Sequence, residues 1–273
     1  MMKKWVKQLG VAVLGVALAV TLTACGQSAS KTSSASSAAS SNLGLQKSGT
    51  LTIGLEGTFK PYSYRENGKL TGFEVDLGKA VAKKLGVKAQ FVPTKFDSLI
   101  AGLDVNKYDV VINDIAETPA RENKYLFSTP YIYSKSQLAV KKSSSIKKIT
   151  EIKGTKIAQT TTSNNAADAK RLGATVTPTD GFQQSIDLVS QGRVAGTINS
   201  REAFYAFFKQ NKHSDIRLID AGSSIATSKI GAIFTKKHAK LQKQVSKAIQ
   251  ELRQDGTLTK LSKKYFGGDV TKK

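Results

Sequence analysis

The chain reads as an α/β protein of two lobes joined by two crossings, a hinged clamp. Three observations lead there. From residue 50 onwards strand and helix patterns alternate, the rhythm of a mostly parallel sheet with helices on its faces. Near Ser136 that unit ends and a second α/β unit begins. A strand-like run at residues 230–234 then returns to the first sheet.

Residues 1–24 have the form of a lipoprotein signal peptide. Lys3, Lys4 and Lys7 make a positive start, and residues 9–22 form an uncharged apolar run, too short and wrongly flanked for a membrane span. Leu22-Thr23-Ala24-Cys25-Gly26 looks like a lipobox, with Cys25 as the acylated residue carrying a palmitate-type anchor. That places the protein at the extracytoplasmic face of the cell membrane. Cys25 is the single cysteine, which excludes a disulfide framework. Residues 25–48, rich in Ser and Ala, bury too little apolar surface to offset their ordering entropy and read as a flexible tether.

The chain carries 42 Lys and Arg against 20 Asp and Glu, a net charge of +22. Nucleic acid is the reflex partner for such a balance. The lysines are scattered, however, and no zinc-finger, helix-turn-helix or RRM signature is present, so nucleic acid is set aside. Anionic wall polymers, membrane lipids or host glycans suit an exported basic surface better, with plainly solvated lysines as the alternative.

Residues 50–55 (Thr-Leu-Thr-Ile-Gly-Leu) form a buried strand, and Glu56-Gly57-Thr58 the loop that leaves it. Asn67-Gly68 is a hairpin turn. Phe73, Leu77, Ala80, Val81 and Leu85 recur at helical spacing, with Gly86 as the stop. Residues 88–92 make a second strand, Phe96, Leu99, Ile100 and Leu103 a second helix, and residues 108–112 a third strand. In such sheets ligands bind outside the carboxyl ends of the strands. Glu56, Phe59, Phe96 and the stretch from Asn113 to Arg121 fall at those ends. Arg121 follows a Thr118-Pro119 turn, and its planar fork suits a carboxylate gripped by two parallel hydrogen bonds.

In the second unit, strands at residues 137–141, 156–158, 174–177 and 194–198 alternate with helices starting near Ala166 and at Phe182. Between Gln159 and Asn164 a run of hydroxyl side chains leads into a helix, either as an anion site or as simple capping. Leu241, Val245, Ala248, Ile249 and Leu252 mark an amphipathic helix that Asp255-Gly256 stops, and a short final helix ends at Tyr265-Phe266-Gly267. The first lobe is thus 49–137 with 230–273, and the second 138–229. His213 and His238 lie far apart in polar segments, which argues against a metal site or cofactor and offers no acid–base pair for catalysis. The chain is not read as an enzyme.

Several motifs in register resemble the polar amino-acid-binding proteins of ABC importers. They are Ile53-Gly-Leu55 through Phe59-x-Pro-Tyr62, Leu70-Thr-Gly-Phe-Glu-Val-Asp-Leu77, Thr118-Pro-Ala-Arg121, Phe127-Ser-x-Pro-Tyr131, Gly192-Arg-Val194 and Asp255-Gly-Thr-Leu258. Glu56-Gly-Thr-Phe59, Pro93-Thr-Lys-Phe96-Asp-Ser-Leu99, Asn199-Ser-Arg-Glu-Ala203 and Lys264-Tyr-Phe-Gly267 are similar to the basic surface, cystine-binding proteins of lactic acid bacteria. The resemblance implies a type II periplasmic-binding-protein fold that closes on a free amino acid, L-cystine by preference. It also implies a monomer that delivers its ligand to ABC permease subunits with a cytoplasmic ATPase. Some members of that group bind mucin or collagen, so an adhesin is the alternative reading.

By the same resemblance Arg121 takes the α-carboxylate, helped by Thr161 and Thr162. Phe59 and Phe96 pack on the ligand's body, Asn113 and Asp114 lie near its α-amino group, and Glu56 reads its side chain. Ser200 stands where most members carry an acidic residue that pairs with the ammonium. Asp114 or Glu202 must then supply that charge, and Asp114, beside Asn113 at the strand end, is the expected one.

Overall fold

The computed structural model describes residues 43–273; the signal segment, Cys25 and most of the tether lie outside the described residues. The end of the tether is an exception to its composition: Leu43 is buried in the first core and Leu45 packs beside it. The backbone N–H of Gln46 donates to Asp109 Oδ1 (2.8 Å). Two leucines in a polar stretch suffice to dock it.

The first lobe opens with β1 (Thr50–Leu55), buried at every position as a strand covered on both faces must be. β2 (Tyr64–Glu66) and β3 (Lys69–Thr71) form the hairpin expected at Asn67-Gly68, both residues at positive φ. Then come α1 (Phe73–Lys84), β4 (Lys88–Pro93), α2 (Phe96–Asp104), β5 (Val110–Val111), α3 (Pro119–Glu122) and β6 (Tyr125–Phe127). β7 (Ile132–Ser134) leaves the lobe. The second lobe holds β8 (Ser136–Lys141), β9 (Lys156–Gln159), α4 (Asn164–Arg171), β10 (Thr175–Pro178), α5 (Phe182–Ser190), β11 (Thr197–Ser200), α6 (Arg201–Gln210) and β12 (Ile216–Asp220). β13 (Ser228–Ile230) crosses back, and β14 (Ile233–Thr235), α7 (Ala239–Gln254) and α8 (Thr257–Phe266) complete the first lobe.

The first sheet has the order β4-β1-β5-β14-β6, parallel around β1 and antiparallel at β14. β5 is shorter than the run expected at 108–112, and Tyr108 before it is buried with its ring against Gly54, where an added Cβ would stand 2.7 Å from the ring. The second lobe departs further from the expected rhythm. β8 is the centre of an antiparallel trio, β11-β8-β12, while β9 and β10 pair in parallel and join it through a single bridge, Ile157 to Gly196. The run at 230–234 is likewise not one strand. Gly231 and Ala232 separate the crossing strand β13 from β14. The two crossings pair with each other: Ile132 faces Ile230, Tyr133 faces Lys229 and Ser134 faces Ser228. On the outside of the first lobe, α7 buries Leu241, Val245, Ala248, Ile249 and Leu252 along one stripe.

Candidate ligand site

The carboxyl ends of β1 and β5 face the amino ends of α4, α5 and α6 across a cleft. The cavity there is small, about 50 Å³, and partly open to solvent. Glu56, Phe59, Phe96 and Asp114 line it from the first lobe. Gln159, Ser163, Asn164, Phe182, Asn199 and Ser200 are among those that line it from the second, and Ser134 and Ser228 do so from the crossings. The wall is therefore mostly hydroxyl and amide, with aromatic patches and two carboxylates.

Those carboxylates belong to a buried acidic group. Asp114 sits at φ +49, a conformation Asp tolerates better than most residues. Its backbone N–H donates to Glu74 Oε1 (2.5 Å), which also accepts from Tyr131 Oη (2.6 Å). Asp114 Oδ1 and Glu74 Oε2 are buried and without a hydrogen-bond partner. Burial, reinforced by Glu74, Glu202 and Glu56, pushes the Asp114 carboxyl well above the usual carboxylate range, with Arg121 pulling the other way. Burial also pushes Glu74 up to about 7, against the hydrogen bond from Tyr131. Glu56 is likewise pushed up to about 7 by burial. Its backbone N–H donates to Asn113 Oδ1 (2.6 Å), which leaves Asn113 buried behind it with Nδ2 unpartnered. Glu202 differs: it is buried away from the cavity wall, and its Oε2 accepts from Ser134 Oγ (2.7 Å).

Phe59 stacks on Tyr62, with centroids 4.8 Å apart, and meets Phe182 of the other lobe at 5.8 Å. Ser200 is committed twice. Its Oγ accepts from Tyr62 Oη (2.9 Å) across the cleft and from the Ala203 N–H (3.4 Å) as the cap of α6. Arg121 and the two threonines take other places. Thr118 caps α3, with Pro119 at the first turn, and Arg121 on that helix is buried but does not line the cavity. There its Nη1 donates to the Ala116 carbonyl (2.9 Å) and its Nη2 to the Thr162 carbonyl (3.2 Å). Thr161 and Thr162 are exposed and turn their N–H groups to Asp97; neither belongs to the cavity wall. The structure thus gathers Glu56, Phe59, Phe96, Asp114 and Ser200 around the cavity, with Asn113 behind it and Arg121, Thr161 and Thr162 beside it. Phe182 and Ser134 were not singled out as site residues in the sequence, whereas Gln159 and Ser163 belong to the run read there as an anion site or simple capping. Phe182 has a signal there, since it follows a strand end and Gly181 at the start of a helix. Among the described residues no cluster of His, Cys, Asp and Glu could hold a metal ion.

A two-lobed α/β clamp with a polar, carboxylate-bearing cavity between its lobes defines a type II solute-binding protein, which holds a small molecule by closing on it. Residues 51–268 match the model of the bacterial extracellular solute-binding proteins, family 3, and the chain belongs to that family. Its members are transport components, not enzymes; they bind free amino acids outside the cytoplasm and work with ABC permeases. The chain is 38% identical over 232 residues to the L-cystine-binding protein TcyA of Bacillus subtilis (strain 168), covering 84% of this chain and 85% of that one. It is similar to an ancestral arginine-binding protein bound to arginine (35% identity, TM-score 0.74, 80% and 99% covered). It is also similar to the L-cystine solute receptor of Neisseria gonorrhoeae in the unliganded open conformation (39% identity, TM-score 0.57, 82% and 95% covered). The liganded structure fits better in space although it is less similar in sequence, in keeping with lobes that here stand drawn together.

Proposed function

We propose that this amino-acid importer component captures L-cystine, held near its permease by a lipid on Cys25. The carrying observation is the pair of cavity carboxylates, Glu56 and Asp114, the second with an unpartnered buried oxygen. A cystine molecule brings two ammonium groups to these two acids, and its disulfide suits the aromatic patch of Phe59, Phe96 and Phe182. Asp114 takes the α-ammonium in place of the acid missing at Ser200, because Glu202 is already satisfied by Ser134. Arg121 meets a carboxylate from beside the cavity, and Asn113 fixes the loop that carries Glu56. The cystine-binding relatives support the same ligand.

Calorimetric titration of the chain with cystine, arginine, glutamine and other polar amino acids tests this. Tight cystine binding that Arg121→Ala weakens is expected. Preference for arginine would remove the cystine assignment and keep the clamp. A second reading, adhesion to mucin, collagen or anionic wall polymers, is favoured by the net charge of +22 and by exposed lysines such as Lys237, Lys243 and Lys247. Retention on such polymers that vanishes with salt would support it.

A further inference from the structure

Thr162 belongs to the second lobe, yet the first lobe grips it from both sides. The Asp97 carboxylate, in the first turn of α2, accepts from Thr162 N (2.9 Å), Thr162 Oγ1 (2.7 Å) and Thr161 N (3.3 Å). Arg121 donates to the Thr162 carbonyl on the other side. All the polar groups of Thr162 are thereby used. The next residue, Ser163, caps α4 through its Oγ, which accepts from Ala166 N (3.0 Å), and lines the cavity together with Asn164. Asp97 and Thr162 are exposed and lie outside the cavity wall, so the contact uses none of the side chains that line it.

We infer that Asp97 is a positioning residue, an interlobe latch that forms on closure and holds the ligand-facing start of α4 against the first lobe. The contact joins two lobes and exists only when they are together, so it stabilises the closed state alone. Donors of this kind at a helix start suit an anion, and here the chain's own carboxylate fills that role. The exposed Lys95–Asp180 pair (2.9 Å) lies nearby at the lip but adds little, as surface ion pairs do. Removing the latch shifts the population towards the open state and shortens ligand residence, while encounter with the open cleft is unchanged.

The inference rests on capture between the lobes, so its test has one arm without ligand. In the full chain carrying Cys25→Ser, spin labels at Val105→Cys and Tyr205→Cys, exposed sites on opposite lobes, report the interlobe distance. Without ligand, Asp97→Ala is expected to move the distance distribution towards longer values, and Asp97→Asn to do so less. With cystine, stopped-flow kinetics should show dissociation about 5- to 30-fold faster and association unchanged. Thr162→Val, which removes the hydroxyl, should add less in the Asp97→Ala background than alone. An unchanged distance distribution would overturn the latch whatever the ligand proves to be. Tighter binding by Asp97→Ala would also overturn it, showing that Asp97 competes with a ligand carboxylate for the loop. If no amino acid binds the parent chain while the distances still shift, the latch stands and the cystine reading falls.

Discussion

Replacing Asp114 by Asn should move affinity and stability in opposite directions. The two side chains are nearly isosteric, and Asn accepts the positive φ of this position. In the free protein the substitution removes a carboxyl that burial, Glu74, Glu202 and Glu56 all hold against ionisation. The sign follows from linkage. A carboxyl raised in the folded state contributes stability that is full below its unfolded value of about 3.9 and is lost as pH rises through the folded value. As pH rises above about 4 the parent chain loses that contribution while the Asn variant has none to lose, so the variant should melt higher at neutral pH, and its advantage should fade below about pH 4. In the complex the variant lacks a charged partner for the ammonium. A buried hydrogen bond to a charged group is worth about 1.5–3 kcal/mol, or about 10- to 150-fold in Kd. Scanning fluorimetry across pH gives the first quantity and calorimetric titration with cystine the second. A Kd within about twofold of the parent's would refute the assignment of the ammonium to Asp114.

Glu56 and Glu74, both pushed up to about 7, should make the ligand-free protein lose stability as pH rises from about 4.3 through 7. An ammonium entering beside Glu56 should then expel a proton near pH 6 to 7, so binding enthalpy should differ between phosphate and Tris buffers; equal enthalpies would count against it. Gly181 has φ +150, and a Cβ there would stand 2.9 Å from Glu56 Oε1 across the cleft. Gly181→Ala should therefore cost about 1–3 kcal/mol of folding stability through backbone strain at this φ, read as a lower melting temperature, while the flexible Glu56 side chain gives way to the added Cβ. Leu241→Ala, in the core under α7, should lower stability by about 2–5 kcal/mol in denaturant titrations and leave Kd alone.

The parts legible in the sequence are those set by neighbours close in the chain. The stripe of α7 and the turn at Asn67-Gly68 follow from local spacing and local chemistry, and both stand where periodicity put them. The ends of β1 and β5 followed from the strand rule, which is why Glu56, Phe59 and Asp114 meet at one cavity. What stayed hidden depends on partners far along the chain. Thr161 and Thr162 turn away from the cavity because Asp97, more than sixty residues earlier, takes their N–H groups. Likewise Ser200 is occupied by Tyr62. The antiparallel centre of the second sheet could not be read either, since alternating strands and helices look alike whichever way the strands run.

The route of the chain also sets an order of assembly. The second lobe is one continuous stretch, whereas the first needs β14, α7 and α8 from the end of the sequence, and β14 sits inside its sheet between β5 and β6. A polypeptide that emerges amino end first therefore presents every strand of the second lobe before the first lobe can close its sheet. Until the last forty residues arrive, β5 and β6 keep bare edges, and the carboxylates above them have no settled wall behind. The lobe translated first is the lobe finished last.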